Sequence, residues 1–455
     1  MSDQTFKNDL NSSDFIIESV LLFSSRTIEP IELKNSVSDL EVYEHLNKPY
    51  LTASINVVDG QRLFDRFDFQ GAENVLISIK RSQASPEYVK TFIIEKIIKS
   101  NKVNETTEVL TLHLIEETLF KSNLQNVNKA LTGSPYEIIK KISYDYLDKT
   151  TKMLGEADYQ KDIKVIVPNL HPMEAMTWIK DRATTTEGYP QYLFSSFASP
   201  YLFYADLGSI LSQPVINENL PYLYSQNATQ VAGDQKFFAI QSYTYENVEN
   251  TNYMISKGVV GAKHTFIDTM GNQVFDVDFN IHDELKNIVE SKNSRQSDLN
   301  LSDKFLNDGK RLSDYTSRVI TNISTNGAYR ILDGSYNTYG EERDVGGHKK
   351  KVIAMALKHM LAKTPITIQV NGRDYLSGEG SGPKHRSIGA MIKIIFLGNG
   401  DAESSNKGVS IDPFKSGDYI IYSIKHRIQA NRYDTIMTCV KIANYNLDDY
   451  PAGAI

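Results

Sequence analysis

The sequence predicts a β-rich α+β fold: two related antiparallel β-barrel domains with inserted α+β elements. Three observations carry this reading. Residues 415–442 form one hairpin plan, with Ile420, Tyr422, Ile424 and Ile428 on one face of a period-2 strand and Ser423, Lys425 and Arg427 on the other. The same plan occurs early, where TFIIEKIIK (91–99) turns through polar residues 101–107 into EVLTLHLIE, with Leu110, Leu112 and Leu114 on one face. Between the two hairpins the period changes to a helical one. Ser134-Pro135-Tyr136-Glu137 sets Ser at an N-cap, Pro at the first helical position and Glu at the capping-box position, and Ile138, Ile142 and Tyr146 follow at four-residue spacing.

Taken in order, residues 14–120 read as the first β-barrel. Strands are expected at 15–23, at 50–58 with Leu51, Ala53, Ile55 and Val57 inward, and at 75–80, before the hairpin 91–116. Asp59-Gly60 makes a turn after the second of these, and 63–71 reads as a short amphipathic segment. Residues 121–234 read as an α+β insert. It contains the Ser134-capped helix, a second helix from Pro172 with Met176, Ile179 and Ala183 inward, and two aromatic strands joined at Ser199-Pro200. Residues 235–270 and 355–445 are assigned to the second β-barrel, with a turn at 268–272, a strand at 366–370 turned back by Asn371-Gly372, and a strand AMIKIIFLG. A helix carrying Ile353, Ala356, Leu357 and Met360 on one face precedes Pro365. Residues 271–354 are left as an insert of uncertain structure, because 280–347 is polar with little periodicity.

Composition bounds the function. At 455 residues the chain exceeds what one core organises, and 40% apolar residues with 26 tyrosines suit a folded globular protein. No window approaches a membrane-spanning run, and the N-terminal residues show neither a basic start nor an apolar core, so synthesis in a cytosol-like compartment is expected. A net charge of −7 argues against a dedicated nucleic-acid binder. The single cysteine, Cys439, can form neither an internal disulfide nor a Cys-based zinc cluster and reads as a small core residue.

No motif points to catalysis. Gly378, Gly380 and Gly382 space as GxGxG but follow no βαβ unit and precede no Lys-Ser/Thr, so a loop between strands is expected there. His359, His385 and His426 lack metal-ligand spacing, and no Ser sits in a G-x-S-x-G elbow. Glu116-Glu117 and Asp448-Asp449 are adjacent, and sequence neighbours on a strand face opposite sides. The basic runs 348–351 and 384–386 read as solvated rims, and the Asn104 sequon matters only in a secreted protein. Catalytic, cofactor-binding and metal-binding residues are therefore all expected to be absent.

Three stretches carry a resemblance: YLTASINVVDGQRLFDRFDFQGAENVLISI; VIVPNLHPMEAMTWIKDRA with YLFSSFASPYLFYADL; and SGDYIIYSIKHRIQANRYDTIMTCVKI. Their order resembles the baseplate hub protein of contractile-tailed bacteriophages and the N-terminal part of the type VI secretion spike protein VgrG. The resemblance implies a non-enzymatic homotrimer, found in the virion tail baseplate and made in the host cytoplasm. It implies contacts with a tail tube protein, a separate spike protein and other baseplate proteins, and an axial passage through which genomic DNA moves without specific binding. The chain ends soon after its last hairpin, and from the resemblance the spike and any cell-wall enzyme are expected to be separate chains. The repeated hairpin predicts two similar barrels per subunit and so a nearly six-fold ring from three copies. The competing classes are a tail-associated peptidoglycan hydrolase, which would carry an acid or nucleophile motif, and a peripheral baseplate protein, which would show fibrous repeats.

Overall fold

The computed structural model describes residues 15–445 with breaks, the longest at 226–237, 285–295, 300–308, 373–387 and 399–409. The first seven strands are β1 (Ile16–Phe23), β2 (Ile31–Glu32), β3 (Val37–His45), β4 (Thr52–Asp59), β5 (Asn74–Lys80), β6 (Glu87–Lys102) and β7 (Glu108–Glu116). Each of the longer ones is rich in β-branched and aliphatic residues at alternate positions, which a pleated strand sends to one face. Leu40, Val42, Ala53, Ile55, Val57, Val75, Ile77, Ile79, Leu110, Leu112 and Leu114 are all buried in one core. The strands pair antiparallel in the order β3-β4-β7-β6-β5-β1-β2. Ile428 and Tyr433, from the far end of the sequence, complete the same core.

The chain then leaves the sheet through α1 (Glu117–Asn123), β8 (Ala130–Gly133), α2 (Pro135–Leu147), β9 (Thr151–Leu154), β10 (Ile163–Ile166), α3 (Pro172–Lys180), β11 (Gln191–Ser195), β12 (Leu202–Asp206), α4 (Leu207–Leu211) and β13 (Tyr222–Ser225). Ser134 caps α2 as its sequence implies: Glu137 N–H donates to Ser134 Oγ at 3.2 Å, and Ser134 N–H donates to the Glu137 carboxylate at 3.2 Å. The apolar faces of α2 and α3 close a second core over Leu193, Leu202 and Tyr204 of β11 and β12. These two strands pair antiparallel on either side of Ser199-Pro200.

The remaining elements are β14 (Ser242–Tyr245), α5 (Thr251–Ser256), β15 (Gly261–Asp268), β16 (Gln273–Asn280), β17 (Gln296–Leu299), β18 (Val319–Ser324), β19 (Tyr329–Arg330), β20 (Tyr336–Asn337), α6 (Val345–Leu361), β21 (Ile366–Asn371), β22 (Met391–Gly398), β23 (Ser410–Ile411), β24 (Gly417–Gln429), β25 (Arg432–Val440) and β26 (Ala443–Tyr445). Strands β14, β21, β25, β24, β22, β23 and β13 join the large sheet. β15 does not: it pairs with β16 and β18 in a separate sheet whose Phe266, Val277 and Phe279 pack into the second barrel's core beside α6. β17 pairs with β26, and β19 with β20. Strand pairing thus cuts across the expected boundaries. β13, from 121–234, is a partner of β22, and β15, from 235–270, lies in another sheet.

One further difference concerns β24. A bulge between Ile421 and Ser423 resets its alternation, so Tyr422 does not share the face of Ile424 and Ile428. The buried set is Gly417 through Ile421 before the bulge, and Ile424, His426 and Ile428 after it.

The two barrels are built alike. In chain order β1, β3, β4, β5, β6 and β7 lie in the sheet as β3-β4-β7-β6-β5-β1, and β13, β14, β21, β22, β24 and β25 lie as β14-β21-β25-β24-β22-β13, which is the same permutation. The likeness reaches single hydrogen bonds. Ile94 N–H donates to Glu73 O at 3.0 Å and Ile94 O accepts from Ala72 N–H at 2.9 Å; Ile421 N–H donates to Ala390 O at 3.0 Å and Ile421 O accepts from Gly389 N–H at 2.9 Å. Ala72 and Gly389 share a positive φ, 65° and 79°, which is uncommon for a residue other than glycine. Each hairpin strand bulges directly after the matched isoleucine. One pairing differs in sense: β1 runs antiparallel to β5, whereas β13 runs parallel to β22.

Gly372 shows how tightly the second hairpin closes onto its neighbour. Its N–H donates to Tyr433 O at 2.8 Å, and a Cβ built on it would lie 2.0 Å from Cδ1 of the buried Tyr433 ring. Gly372→Ala is expected to cost about 1–3 kcal/mol in a urea titration, the usual scale for overpacking. Gly60→Ala, where nothing lies within 4 Å, should stay within about 0.5 kcal/mol of the parent protein.

Candidate functional site

The junction between the barrels is one strand. The start of β24 pairs with β22, from Gly417↔Ile394 to Ile420↔Met391, and past the bulge the same edge pairs with β3, from Ser423↔His45 to Gln429↔Asp39. Side chains on both faces secure this switch. On the wetter face Arg427 holds Asp39 with two donors, Nη2 at 2.8 Å and Nε at 3.1 Å, and Lys425 reaches Glu41 at 2.5 Å. Burial pushes the Glu41 carboxyl up, but hydrogen bonds from Lys425 and Tyr43 and the charges of Lys425 and Arg427 outweigh it and hold it below the ordinary value. Burial and the neighbouring Glu41 push the Tyr43 hydroxyl up.

On the dry face His426 lies between Tyr433 Oη, 2.7 Å from Nδ1, and Glu44 Oε1, 3.2 Å from Nε2. In the tautomer that bonds both partners, Nε2–H donates to the Glu44 carboxylate and Nδ1 accepts from the Tyr433 hydroxyl. Glu44 Oε1 also accepts from Phe197 N–H at 2.9 Å, which ties the loop after β11 to both barrels.

A second buried polar cluster fixes the insert to the first barrel. Lys149 Nζ donates to Glu116 Oε1 at 2.6 Å and to Ser195 Oγ at 2.9 Å, Glu116 Oε2 accepts from Leu51 N–H at 2.9 Å, and Ser195 Oγ donates to Pro49 O at 2.8 Å. Burial raises the Glu116 carboxyl, but the charges of Lys149 and Lys90 and the hydrogen bonds from Lys149 and Leu51 bring it below the ordinary value. Lys90 is lowered to about 8 by burial and donates to Ser199 O at 2.6 Å. Lys180, also lowered to about 8 by burial, contacts Asn47 and Asp181. Every lysine named here is directed at a fixed protein acceptor, as a structural cation is.

The residues singled out in the sequence are spread through the molecule. Glu116 ends β7 in the buried cluster, while Glu117 opens α1 and pairs with Lys121 at 2.8 Å. Cys439 is buried in the second barrel's core, where burial pushes its thiol up. His359 sits on α6 beside the Tyr253 ring and is lowered by burial and by Lys257 and Lys358. From the basic run on the same helix, Lys349 pairs with Glu284 at 2.6 Å. Gly378, Gly380, Gly382, residues 384–386, Asn104, Asp448 and Asp449 lie outside the described residues. Among the described residues no group of three or more His, Cys, Asp or Glu side chains is placed to hold a metal ion. Sequence reasoning missed Glu44 and Lys149, because their partners lie far away in the chain and neither sits in a motif.

The sequence matches no protein-family model and no curated protein. Its fold has solved counterparts. The 43 kDa tail protein of prophage MuSo2 from Shewanella oneidensis aligns with a TM-score of 0.51 at 9% identity, over 93% of this chain and 98% of that one. A tail protein from Neisseria meningitidis MC58 gives 0.48 at 12% identity over 95% and 99% of the two chains. An E. coli component of the type VI secretion system, itself described as similar to the T4 bacteriophage tail proteins gp27 and gp5, gives 0.38 at 8% identity over 95% and 77%. At 9% identity it is the fold that is shared with the prophage MuSo2 protein, and the resemblance read from the sequence holds at that level.

The buried Lys149–Glu116 pair makes an acid-dependent prediction. Lys149→Met removes the cation bonded to a buried carboxylate, leaving it the Leu51 N–H and the charge of Lys90, and is expected to cost roughly 3–5 kcal/mol near pH 7. A carboxyl held below its unfolded value of 4.5 contributes stability that is present above that pH and lost as pH falls through and below it. The gap between Lys149→Met and the parent should therefore narrow as the urea titration is moved toward pH 4 and below. A gap that stays constant across that range would refute the assignment.

Proposed function

We propose that the chain is the structural hub of a contractile phage tail tip. Three copies close into a ring of six similar barrels that joins a six-fold tail tube to a three-fold spike and surrounds part of the channel for the genome. The observation that carries this reading is the repeated strand permutation, with its matched bulges and matched positive-φ residues. A subunit with two copies of one barrel offers two equivalent surfaces. If about 60° of rotation relates them, three subunits complete the circle. Such a ring can meet six identical tube subunits on one side and a trimer on the other. Its partners are further copies of itself, the tube protein, a separate spike protein and other baseplate proteins, with DNA passing through without specific recognition. The fold shared with a prophage tail protein supports the same placement in the virion.

The role needs no chemistry. The buried charged groups described above are directed at one another and at main-chain acceptors, which suits a scaffold. Incubation of the purified chain with bacterial cell walls is expected to release no muropeptides. Release that a single point substitution abolishes would establish a hydrolase instead. Light scattering coupled to gel filtration is expected to find particles of three 51.4 kDa chains at high concentration. A single chain at all concentrations, or a closed particle of any other number, would defeat the ring of three.

A further inference from the structure

The duplication leaves two sheet edges in one copy that are related to each other as two already joined edges are. Within the chain, β24 runs on past its bulge, beyond the end of its pairing with β22, and that continuation pairs with β3. The counterpart of β24 is β6, and the counterpart of β3 is β14. β6 also outruns its neighbour: β5 pairs with it only as far as Asn74↔Ile93, yet β6 continues along β7 to Lys102↔Glu108. Beyond Ile94 no described strand lies on the side of β6 that β5 has left. β14 ends the large sheet, paired with β21, with no described strand on its other side. The first barrel thus has the reaching strand without its β3, and the second barrel has the β3 counterpart without its reaching strand.

We propose that residues 100–103 of one copy add antiparallel to β14 of the next copy, making the sheet continuous from subunit to subunit. This rests on the ring described under Proposed function and names the contact that closes it. The register follows from the internal junction. Arg427 lies opposite Thr435's neighbour Asp434 on β25 and opposite Glu41 on β3. Counting through the matched partner strands, Asn101 takes the place of Arg427, and Thr244 takes the place of Glu41.

The side chains on this edge agree with the proposal. Val103, which this register sets opposite Ser242, is 63% exposed, a β-branched side chain on an open edge. The facing strand brings Tyr243, half-buried between the rings of Tyr224 and Phe396. Pairing with a second copy satisfies the backbone groups of both edges at once. A second bulge, at Ile98, has no equivalent in β24 and is counted out in setting this register.

The test is a cysteine pair in the full chain, Asn101→Cys with Thr244→Cys. Directly opposed antiparallel residues have Cα atoms about 4.5–5.5 Å apart, inside the range a disulfide spans. The native Cys439 is buried and stays out of the reaction. After mild oxidation, most of the double variant is expected to run as a species of three linked chains on a non-reducing gel, and each single variant is expected to stay mostly unlinked. Val103→Lys should leave thermal unfolding of the separated chain unchanged and raise the concentration needed for assembly at least tenfold. Three-chain particles that neither cross-link in the double variant nor respond to Val103→Lys would overturn the edge pairing and leave the hub reading standing. A linked ladder running past three chains would uphold the pairing and defeat the ring of three. A chain that is single at every concentration defeats both.

Discussion

Everything in this structure depends on how β24 satisfies its backbone. A strand in the middle of a sheet must find partners for its N–H and C=O groups on both sides along its whole length. β24 is longer than either neighbour on one side, so it takes β22 for its first part and β3 for its last. The bulge at Tyr422 is where the edge changes hands, and Leu46 N–H donates to Tyr422 O at 2.9 Å at that point. A bulge adds twist and leaves one residue outside the ladder, which is what a strand passing from one curved sheet to another needs. The joint cannot be opened without exposing seven backbone pairs, the Arg427–Asp39 contact and the buried Glu44–His426–Tyr433 chain together.

This arrangement makes the two barrels one mechanical body, although each has its own core. Ile428 and Tyr433 belong to the second hairpin by sequence and to the first core by contact. The insert is held in the same way, through Glu44 to Phe197 N–H and through Glu116 to Lys149 and Ser195. The half-exposed Arg427–Asp39 pair adds at most about 1 kcal/mol, while the buried Lys149–Glu116 pair is costly to break from one side. The fold therefore uses its buried charges to fix where parts sit, and its apolar alternation to hold each part together.

Local pattern was enough for the parts whose information is local. Both hairpins, the Ser134 capping box, the helix after Pro172 and the strand pair around Ser199-Pro200 could be read because period, cap and turn residues lie within a few positions of each other. The likeness of the hairpins was legible, but the shared permutation was not, since β13 and β14 are separated from β21 by more than a hundred residues of inserted chain. Nor was the bulge: IIYSIKHRI reads as unbroken alternation, and only the pairing with β25 shows that Tyr422 is the extra residue. His426 illustrates the limit on single residues. Its sequence neighbours give no hint that its partners are Glu44 and Tyr433, one of them at the other end of the chain. The same holds for Lys149, whose partners Glu116 and Ser195 lie 33 and 46 residues away.

The central claim is that one chain supplies two equivalent sectors of a ring. Electron microscopy of the assembled particle, reconstructed with three-fold symmetry only, tests it most directly. The account predicts six similar barrel densities at nearly equal radius and about 60° apart, alternating between first and second barrels. A three-fold particle with only three barrels around the axis, and the other three displaced outward or turned away from it, would contradict it.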